Sequence, residues 1–344
     1  MDYEGTTSAE NFRLPQAVEV IRGNIVKHGN PLALKGAEIA RWAKGLDLPE
    51  KGELLYYTGG EYQLIPFIDS LVKAMTLVDP GGKAFSLMMG VRNLIDKTGI
   101  SAEKIYASAL AQDKERYHGI SYQGAMILKE LGVDFCYLGK NELYSGALLY
   151  ELGFWDDLGV HAQKMAALLE TTGAKTIVCL SPHSAEVFKL IYPKLLGEFP
   201  YEVKTFTELI WEVLKEKEPP LHFSYDGKVV IHDSCRMARE LGITEEIRHI
   251  LNCFQGIELV EAEQNRRWTT CCGGPSKVLF PDVSAKIGCY RRQELAETHA
   301  AKALTFCPYC LAALTKGCPD AKDALETEDF IEFLYRGVVS HVSG

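Results

Sequence analysis

The chain has 344 residues, of which 47% are hydrophobic and 24% are charged. This length allows about two domains with packed cores, and the composition excludes a disordered or fibrous protein. The net charge of −9 and the scattered lysine and arginine residues give no electrostatic footprint for nucleic acid. No apolar run reaches the roughly 18 residues of a membrane-spanning helix, and the first residues do not resemble a signal peptide. We therefore expect a cytoplasmic protein without a membrane span of its own.

The chain begins with a predicted helical segment and continues as alternating strands and helices. Apolar residues recur at helical spacing over residues 17–28 and 33–46, and Gly29-Asn30-Pro31 separates the two runs. A further amphipathic helix is predicted over residues 157–172, before Gly173. Buried strands are predicted at six short apolar runs, which are residues 54–57, 133–137, 176–180, 229–231, 257–260 and 303–306. This alternation predicts an α/β fold with parallel sheets.

Three segments of the first half have counterparts, in the same order, in the second half. They are residues 53–60 (ELLYYTGG) and 228–235 (KVVIHDSC), residues 142–146 (ELYSG) and 269–273 (TTCCG), and residues 176–184 (TIVCLSPHS) and 302–310 (KALTFCPYC). The spacing of the last two segments agrees between the halves, and the first half carries an insertion of about 48 residues before them. We predict an N-terminal helical segment (1–50) and two similar Rossmann-like α/β halves (51–220 and 221–344). The boundary lies in the charged, proline-containing stretch 215–227.

Eight of the ten cysteines follow residue 234. Five of them stand in motifs, which are Cys235, Cys271-Cys272-Gly273 and Cys307-Pro308-Tyr309-Cys310. Each motif comes at or after the end of a predicted strand, where parallel sheets gather their functional loops. Four thiolates hold a [4Fe–4S] cluster, so five are one more than a cubane or a tetrahedral zinc ion uses. The pattern predicts that Cys235, Cys271, Cys272, Cys307 and Cys310 bind one [4Fe–4S]-type cluster, cubane or non-cubane.

Two other interpretations of these cysteines stay open at this point. A structural zinc site fits Cys307-x-x-Cys310, but it leaves the vicinal pair Cys271-Cys272 unexplained. A glutaredoxin-type redox motif also fits Cys-Pro-Tyr-Cys, but only 34 residues follow Cys310, too few for the rest of that fold. The remaining cysteines match no motif position and are expected to pack as small hydrophobic residues.

The ordered set of motifs resembles the CCG cysteine-rich domain of the heterodisulfide reductase B/D-type subunit family. The phrases that carry this resemblance are His232-Asp-Ser-Cys235, Cys271-Cys-Gly-Gly274 and Phe306-Cys-Pro-Tyr-Cys310. Similar domains occur in iron–sulfur subunits of glycolate, lactate and glycerol-3-phosphate oxidation and in quinone-linked complexes. In the first half the corresponding ligand positions are occupied by Gly60, Tyr144, Ser145, Ser181 and Ser184. None of these residues supplies a thiolate, so one cluster is expected where fully equipped members hold two.

The resemblance implies an oxidoreductase subunit that acts on sulfur groups and is active only within a complex. Its partner is expected to be a ferredoxin-like iron–sulfur subunit, a flavoprotein or both, and any membrane association is expected through that partner. Its substrate is expected to be a disulfide or a thiol. The alternatives are a pure electron relay and a scaffold whose metal only stabilises the C-terminal half. His232 is a candidate catalytic residue, as a proton donor or as a group that supports the cluster. His183, between Ser181 and Ser184, is interpreted as a loop histidine, or as part of a pocket shared by the halves.

Overall fold

Two parallel sheets organise the chain in the computed structural model, which describes residues 16–77, 113–217, 223–315 and 324–342. The first sheet has the order β1-β2-β3, with strands Leu54–Tyr57, Thr176–Cys179 and Glu202–Thr205. The second has the order β5-β4-β6-β7, where β4 to β7 are Phe223–His232, Phe254–Val260, Lys302–Thr305 and Glu326–Asp329. The predicted α/β class with parallel sheets is confirmed. Each sheet takes its strands from only one of the predicted halves.

Helices connect the strands and cover the sheets. In chain order α1 to α13 are Gln16–His28, Gly36–Ile39, Glu61–Leu77, Lys114–Glu130, Ala147–Glu151, Trp155–Glu170, Pro182–Glu186, Tyr192–Leu196, Phe206–Lys215, Glu246–Leu251, Pro281–Ala296, Pro308–Thr315 and Phe330–Val342. Short 3₁₀ turns lie at Ala40–Ala43, Gly139–Asn141, Arg266–Trp268 and Gly274–Val278, and π turns at Val187–Ile191 and Arg236–Leu241. Within the described ranges, no helix is long and apolar enough to cross a membrane.

Two of the predicted elements are wrong in extent. The helix predicted over residues 33–46 is reduced to α2 and one 3₁₀ turn, because the Asn30 side chain bonds both the N–H and the C=O of Leu34 at 2.9 Å. The strand predicted over residues 133–137 is a single bridge between Leu55 and Cys136. It goes no further because the N–H of Tyr137 donates to the carbonyl of Pro49, outside the sheet. Much of the predicted 48-residue insertion lies outside the described residues.

The strand register places the motif positions of the two halves at equivalent points. Tyr57 of β1 pairs with Cys179 of β2, and His232 of β4 pairs with Thr305 of β6. Gly60 and Cys235 each follow the first strand of their pair by three residues. Likewise Ser181 and Cys307 each follow the second strand by two residues. The two halves therefore repeat one arrangement at the carboxyl edge of each sheet.

The repeat also includes the edge strands, which sequence analysis missed. Residues 202–208 (EVKTFTE) and 326–332 (ETEDFIE) each form an edge strand that runs directly into a helix. Thr205 closes a capping box with Glu208 at the start of α9. At the start of α13, Asp329 accepts from the N–H of Ile331, and its own N–H donates to Glu332. Equivalent side chains thus cap equivalent helices.

Direct contacts join the two halves. The hydroxyl of Tyr62 in α3 donates to the buried carboxylate of Asp329 at 2.8 Å. Arg116 in α4 forms an ion pair with Glu332 in α13 at 2.7 Å. These contacts bring α3 and α4 of the first half against the last strand and helix of the second half. The division into 1–50, 51–220 and 221–344 stays a prediction.

Candidate metal centre

The five motif cysteines lie at the carboxyl edge of the second sheet. Cys235 follows β4, and Cys307 follows β6 immediately before α12, which carries Cys310 in its first turn. Cys271 and Cys272 lie on the loop between the 3₁₀ turns Arg266–Trp268 and Gly274–Val278. The strand order β5-β4-β6 makes these three segments neighbours, as expected for loops at one edge of a parallel sheet.

The five thiol groups form a continuous series of contacts in the order Cys235, Cys271, Cys272, Cys310 and Cys307. Cys272, Cys307 and Cys310 are buried, whereas Cys235 and Cys271 are partly exposed. The hydrogen bond from Cys235 lowers the pKa of the Cys271 thiol well below its usual value. Burial opposes ionisation of Cys307, but hydrogen bonds from Cys310 and His183 outweigh it and lower the pKa of its thiol. Two of the thiols are thus biased towards the thiolate form that binds metals.

Two glycines bring backbone N–H groups to the sulfurs. The N–H of Gly273 donates to Sγ of Cys271 at 3.3 Å, and that of Gly274 donates to Sγ of Cys272 at 3.4 Å. Gly273 has a φ of +80°, and a Cβ there would lie 2.5 Å from the carbonyl oxygen of Ser284. A Cβ on Gly274 would lie 2.9 Å from Cβ of Tyr309. Side chains at these positions would therefore displace the donors from the sulfurs.

His232, the candidate catalytic residue, ends β4 and faces the cysteines. One ring nitrogen of His232 and the sulfurs of Cys272 and Cys310 all lie within 4.8 Å of one another. Nδ1 accepts a hydrogen bond from Nε of Arg291 at 3.1 Å, so the proton of the neutral ring is on Nε2. Burial and Arg291 lower the pKa of His232 to about 3. Nε2 has no hydrogen-bond partner among the described residues. This geometry favours a neutral hydrogen-bond donor to sulfur over a proton-donating acid.

A buried ion pair holds the loop that carries Cys235. Arg248 donates to both carboxylate oxygens of Asp233 at 2.8 and 2.9 Å, and to both oxygens of Glu261 at 2.7 and 2.8 Å. Asp233 also accepts from the backbone N–H of Arg266 at 2.7 Å. Asp233 lies two residues before Cys235, and Arg266 opens the turn that leads to the vicinal cysteines. The pair therefore fixes two of the three cysteine segments relative to each other.

The first half reaches into the cysteine site through His183. Nδ1 of this buried ring lies 2.9 Å from a carboxylate oxygen of Glu151, and the side chain also contacts the Cys307 thiol. The ring lies against Tyr309, with 4.6 Å between centroids. Burial favours neutral His183, but Glu151 and the Cys307 thiol together outweigh it and raise the pKa of the histidine well above its usual value. The same oxygen of Glu151 accepts from Arg236 at 2.9 Å.

The ligand-equivalent positions of the first half also come together, around the buried carboxylate of Glu61. Ser181 and Ser184 donate to its two oxygens, and the Ser145 hydroxyl lies 3.4 Å from one of them. Tyr144 is buried beside them, and its hydroxyl accepts from the N–H of Leu148 at 3.0 Å. Burial raises the pKa of Glu61. A hydrogen-bonded carboxyl group thus stands where the second half has its thiols.

The other described free cysteines lie apart from the five. Cys136 and Cys179 are buried in the core of the first half, and Cys253 is partly exposed and contacts the carbonyl of His249. Five convergent thiols, two donors from glycines and one inward-facing imidazole suit a thiolate-bound metal or iron–sulfur group. The described residues therefore fit such a group chemically. That these five are its ligands stays a prediction.

Comparison with known proteins agrees with this site. Residues 229–315 match the CCG family, described as a cysteine-rich domain. The chain is 28% identical over 223 residues to the D-type subunit of the dihydromethanophenazine:CoB–CoM heterodisulfide reductase of Methanosarcina acetivorans, over 62% of this chain and 53% of that protein. It is 29% identical over 239 residues to "Probable iron-sulfur-binding oxidoreductase FadF" of Bacillus subtilis, over 68% and 34%. It is 25% identical over 264 residues to EtfAB:quinone oxidoreductase of Syntrophomonas wolfei, over 72% and 37%.

The fold, the cysteine site and the sequence match define a protein with a CCG cysteine-rich domain. The similarity to D-type heterodisulfide reductase subunits of two Methanosarcina species agrees with the resemblance that the motifs indicated. It spans about half the length of the Methanosarcina heterodisulfide reductase proteins that it matches. A solved aspartate racemase homologue from Pyrococcus horikoshii is 13% identical to this chain, over 65% of this chain and 92% of its own, at a TM-score of 0.28.

Proposed function

We propose that this chain is an iron–sulfur oxidoreductase subunit of a heterodisulfide-reductase-like complex. It exchanges electrons between a partner subunit and a disulfide or thiol substrate at one [4Fe–4S]-type cluster, cubane or non-cubane. The observation that carries this proposal is the convergence of five cysteine side chains at one edge of the second sheet. A cytoplasmic location, with membrane association only through a partner, belongs to the same proposal.

The residues around the sulfurs suit a group that gains and loses electrons. Cys235, Cys271, Cys272, Cys307 and Cys310 would hold the cluster, which when bound supplies one-electron chemistry. The N–H groups of the two glycines and Nε2 of His232 provide dipoles that favour added negative charge on sulfur. Reduction of a disulfide to two thiols takes two electrons and two protons. In this proposal the electrons come from a ferredoxin-like iron–sulfur subunit or a flavoprotein.

A cleft is lined in part by residues that neighbour the cysteine motifs in sequence, although none of the five cysteines lines it. It has a volume of about 520 Å³, and its lining includes Leu148, Tyr150, Glu151, Arg236 and Phe280. Arg236 follows Cys235 directly, and Cys235 is one of the two cysteines that are partly exposed. In this proposal a small thiol or disulfide approaches Cys235 from the side of Arg236.

A pure electron relay is the second candidate, favoured by the similarity to a protein named as a quinone oxidoreductase. The two functions differ in whether the substrate binds in contact with the cluster. Adding a thiol or disulfide to the anaerobic, oxidised chain should change the cluster's electron paramagnetic resonance (EPR) or absorption spectrum if the chain is catalytic. An unchanged spectrum at saturating thiol and disulfide would favour the relay.

The first prediction concerns the cofactor. We expect the anaerobically purified chain to contain about four iron atoms and about four acid-labile sulfides, without stoichiometric zinc. The reason is that the second half brings five thiols together, whereas the equivalent positions of the first half hold a carboxyl group and hydroxyls. Elemental analysis with sulfide determination measures this. About eight iron atoms, or about one zinc ion and no iron, would contradict the proposal.

The second prediction concerns the partner. The isolated chain should show a cluster signal but little turnover with ferredoxin, nicotinamide or flavin donors, because electrons must arrive through a docked subunit. Large apolar side chains are exposed near the loop that carries Cys271-Cys272-Gly273, including Trp268, which is 73% exposed, and Phe280, which is 60% exposed. These side chains support docking of a partner on this face. The measurement is turnover of the chain alone and with co-purifying subunits added back. Full turnover by the chain alone would refute the need for a partner.

A further inference from the structure

His183 connects the half that lacks motif cysteines to the half that carries them. It lies in α7, directly after β2 of the first sheet, at the position between Ser181 and Ser184. Its side chain is 3% exposed, yet it contacts the thiol of Cys307, which follows β6 of the second sheet. Among the described residues, the Cys307 thiol thus has hydrogen-bond contacts with a cysteine of its own half and with this histidine from the other half.

The orientation of the imidazole follows from its two neighbours. Nδ1 faces the Glu151 carboxylate at 2.9 Å, so the ring donates from this nitrogen. Nε2 is then the nitrogen left to face Cys307. A metal-bound cysteine is a thiolate, which accepts hydrogen bonds and donates none, so Nε2 must also carry a proton to bond it.

A charged network holds the ring in this position. Glu151 also accepts from Arg236 at 2.9 Å, and Arg236 donates in turn to both oxygens of Glu186 at 2.9 and 2.8 Å. Glu186 lies three residues after His183, at the end of the same helix. The Tyr309 ring packs against the imidazole from the second half. The donor is therefore preorganised between the two halves.

We propose that His183 is a positioning residue that donates a hydrogen bond from the first half to the Cys307 thiolate and thereby sets the reduction potential of the cluster. This inference rests on the proposed function, since it needs a cluster bound at the cysteines. A hydrogen bond to a ligand sulfur stabilises the reduced, more negative state more than the oxidised state. The half without motif cysteines thus acts as an electrostatic support for the centre held by the other half.

The test is a potentiometric titration of the cluster-loaded full-length chain, followed by EPR and visible absorption. His183→Phe keeps an aromatic ring against Tyr309 but removes the donor. We expect the equilibrium constant for reduction to fall about tenfold, which is about 59 mV for one electron, with iron content unchanged. His183→Gln keeps an N–H donor and should restore most of the potential. Glu151→Gln should shift it in the same direction as His183→Phe, because it removes the charge that orients the ring.

The matched control is His161→Phe. His161 is also buried in the first half, but its Nε2 lies 2.6 Å from the carbonyl oxygen of Tyr144 and the ring contacts none of the five cysteines. Its replacement should leave the potential unchanged. A wild-type potential in iron-loaded His183→Phe, or an equal shift in His161→Phe, overturns the inference. If His183→Phe does not load, an unchanged potential in Glu151→Gln overturns it. Absence of iron from the wild-type chain overturns the proposed function itself.

Discussion

Replacing Cys307 with serine is expected to remove or convert the cluster and to lower the thermal stability of the second half. Cys307 is fully buried, and its thiol joins Cys310 to His183 at the centre of the site. Serine is a poor substitute for a thiolate ligand, and the free energy of metal binding contributes to folding. Iron should fall from about four atoms per chain to fewer than about one, or to a cluster with fewer irons. Iron analysis, EPR and thermal unfolding under anaerobic conditions measure these effects.

Two other cysteines provide matched controls for this substitution. Cys179 is as buried as Cys307 but lies in β2, in the core of the first half. Cys253 belongs to the second half but is partly exposed and contacts only a backbone carbonyl among the hydrogen bonds described. Cys179→Ser should lower stability without loss of iron, and Cys253→Ser should change neither. Full iron content in Cys307→Ser, or loss of iron in Cys253→Ser, would show that the ligands differ from the five proposed.

The convergence of the cysteines could be predicted because it depends on local signals and on one general property of parallel sheets. Short apolar runs marked the strands β1, β2, β4, β5 and β6, and each cysteine motif followed one of them. Strands that run parallel end at the same edge, so residues far apart in sequence meet there. The edge strands β3 and β7 gave no such signal, since Glu202, Lys204, Glu326 and Glu328 make them polar. The sequence signal shared by the two edge strands is the Phe-x-Glu segment that follows each of them, beginning at Phe206 and at Phe330.

The carboxylates of the site could not be predicted in the same way. Glu61 meets Ser181 and Ser184 across 120 and 123 residues, and Glu151 meets Arg236 across 85 residues. Glutamate is common on protein surfaces, and no local pattern distinguishes a buried one from an exposed one. The repeat gave the only usable signal, because Glu61 directly follows the ligand-equivalent Gly60. The role of His183 depends on these partners. The sequence alone therefore gave a pocket shared by the two halves only as an alternative to a loop histidine.

Replacing Arg248 with leucine is expected to lower the free energy of unfolding by about 3–5 kcal/mol. Arg248 is 4% exposed and gives two hydrogen bonds to Asp233, which is itself 5% exposed. Without the guanidinium, the Asp233 carboxylate stays buried with one backbone donor, the N–H of Arg266. Removing one partner of a buried ion pair lowers the free energy of unfolding more than removing one partner of an exposed ion pair, because the charge that remains has no access to water. Denaturant unfolding of the cluster-loaded chain measures the loss.

Arg41→Leu is the matched control, because the Arg41–Glu115 ion pair has a similar distance of 2.9 Å but side chains that are 40% and 83% exposed. Its loss should cost no more than about 1 kcal/mol. Arg248→Leu should also reduce iron retention, because Asp233 fixes the loop that ends at Cys235. Arg41→Leu should leave iron retention unchanged. Arg248→Lys keeps the charge but not the two-pronged geometry, so its effect should lie between the two. Equal stability losses in Arg248→Leu and Arg41→Leu would mean that the buried pair does not hold the cysteine loops in place.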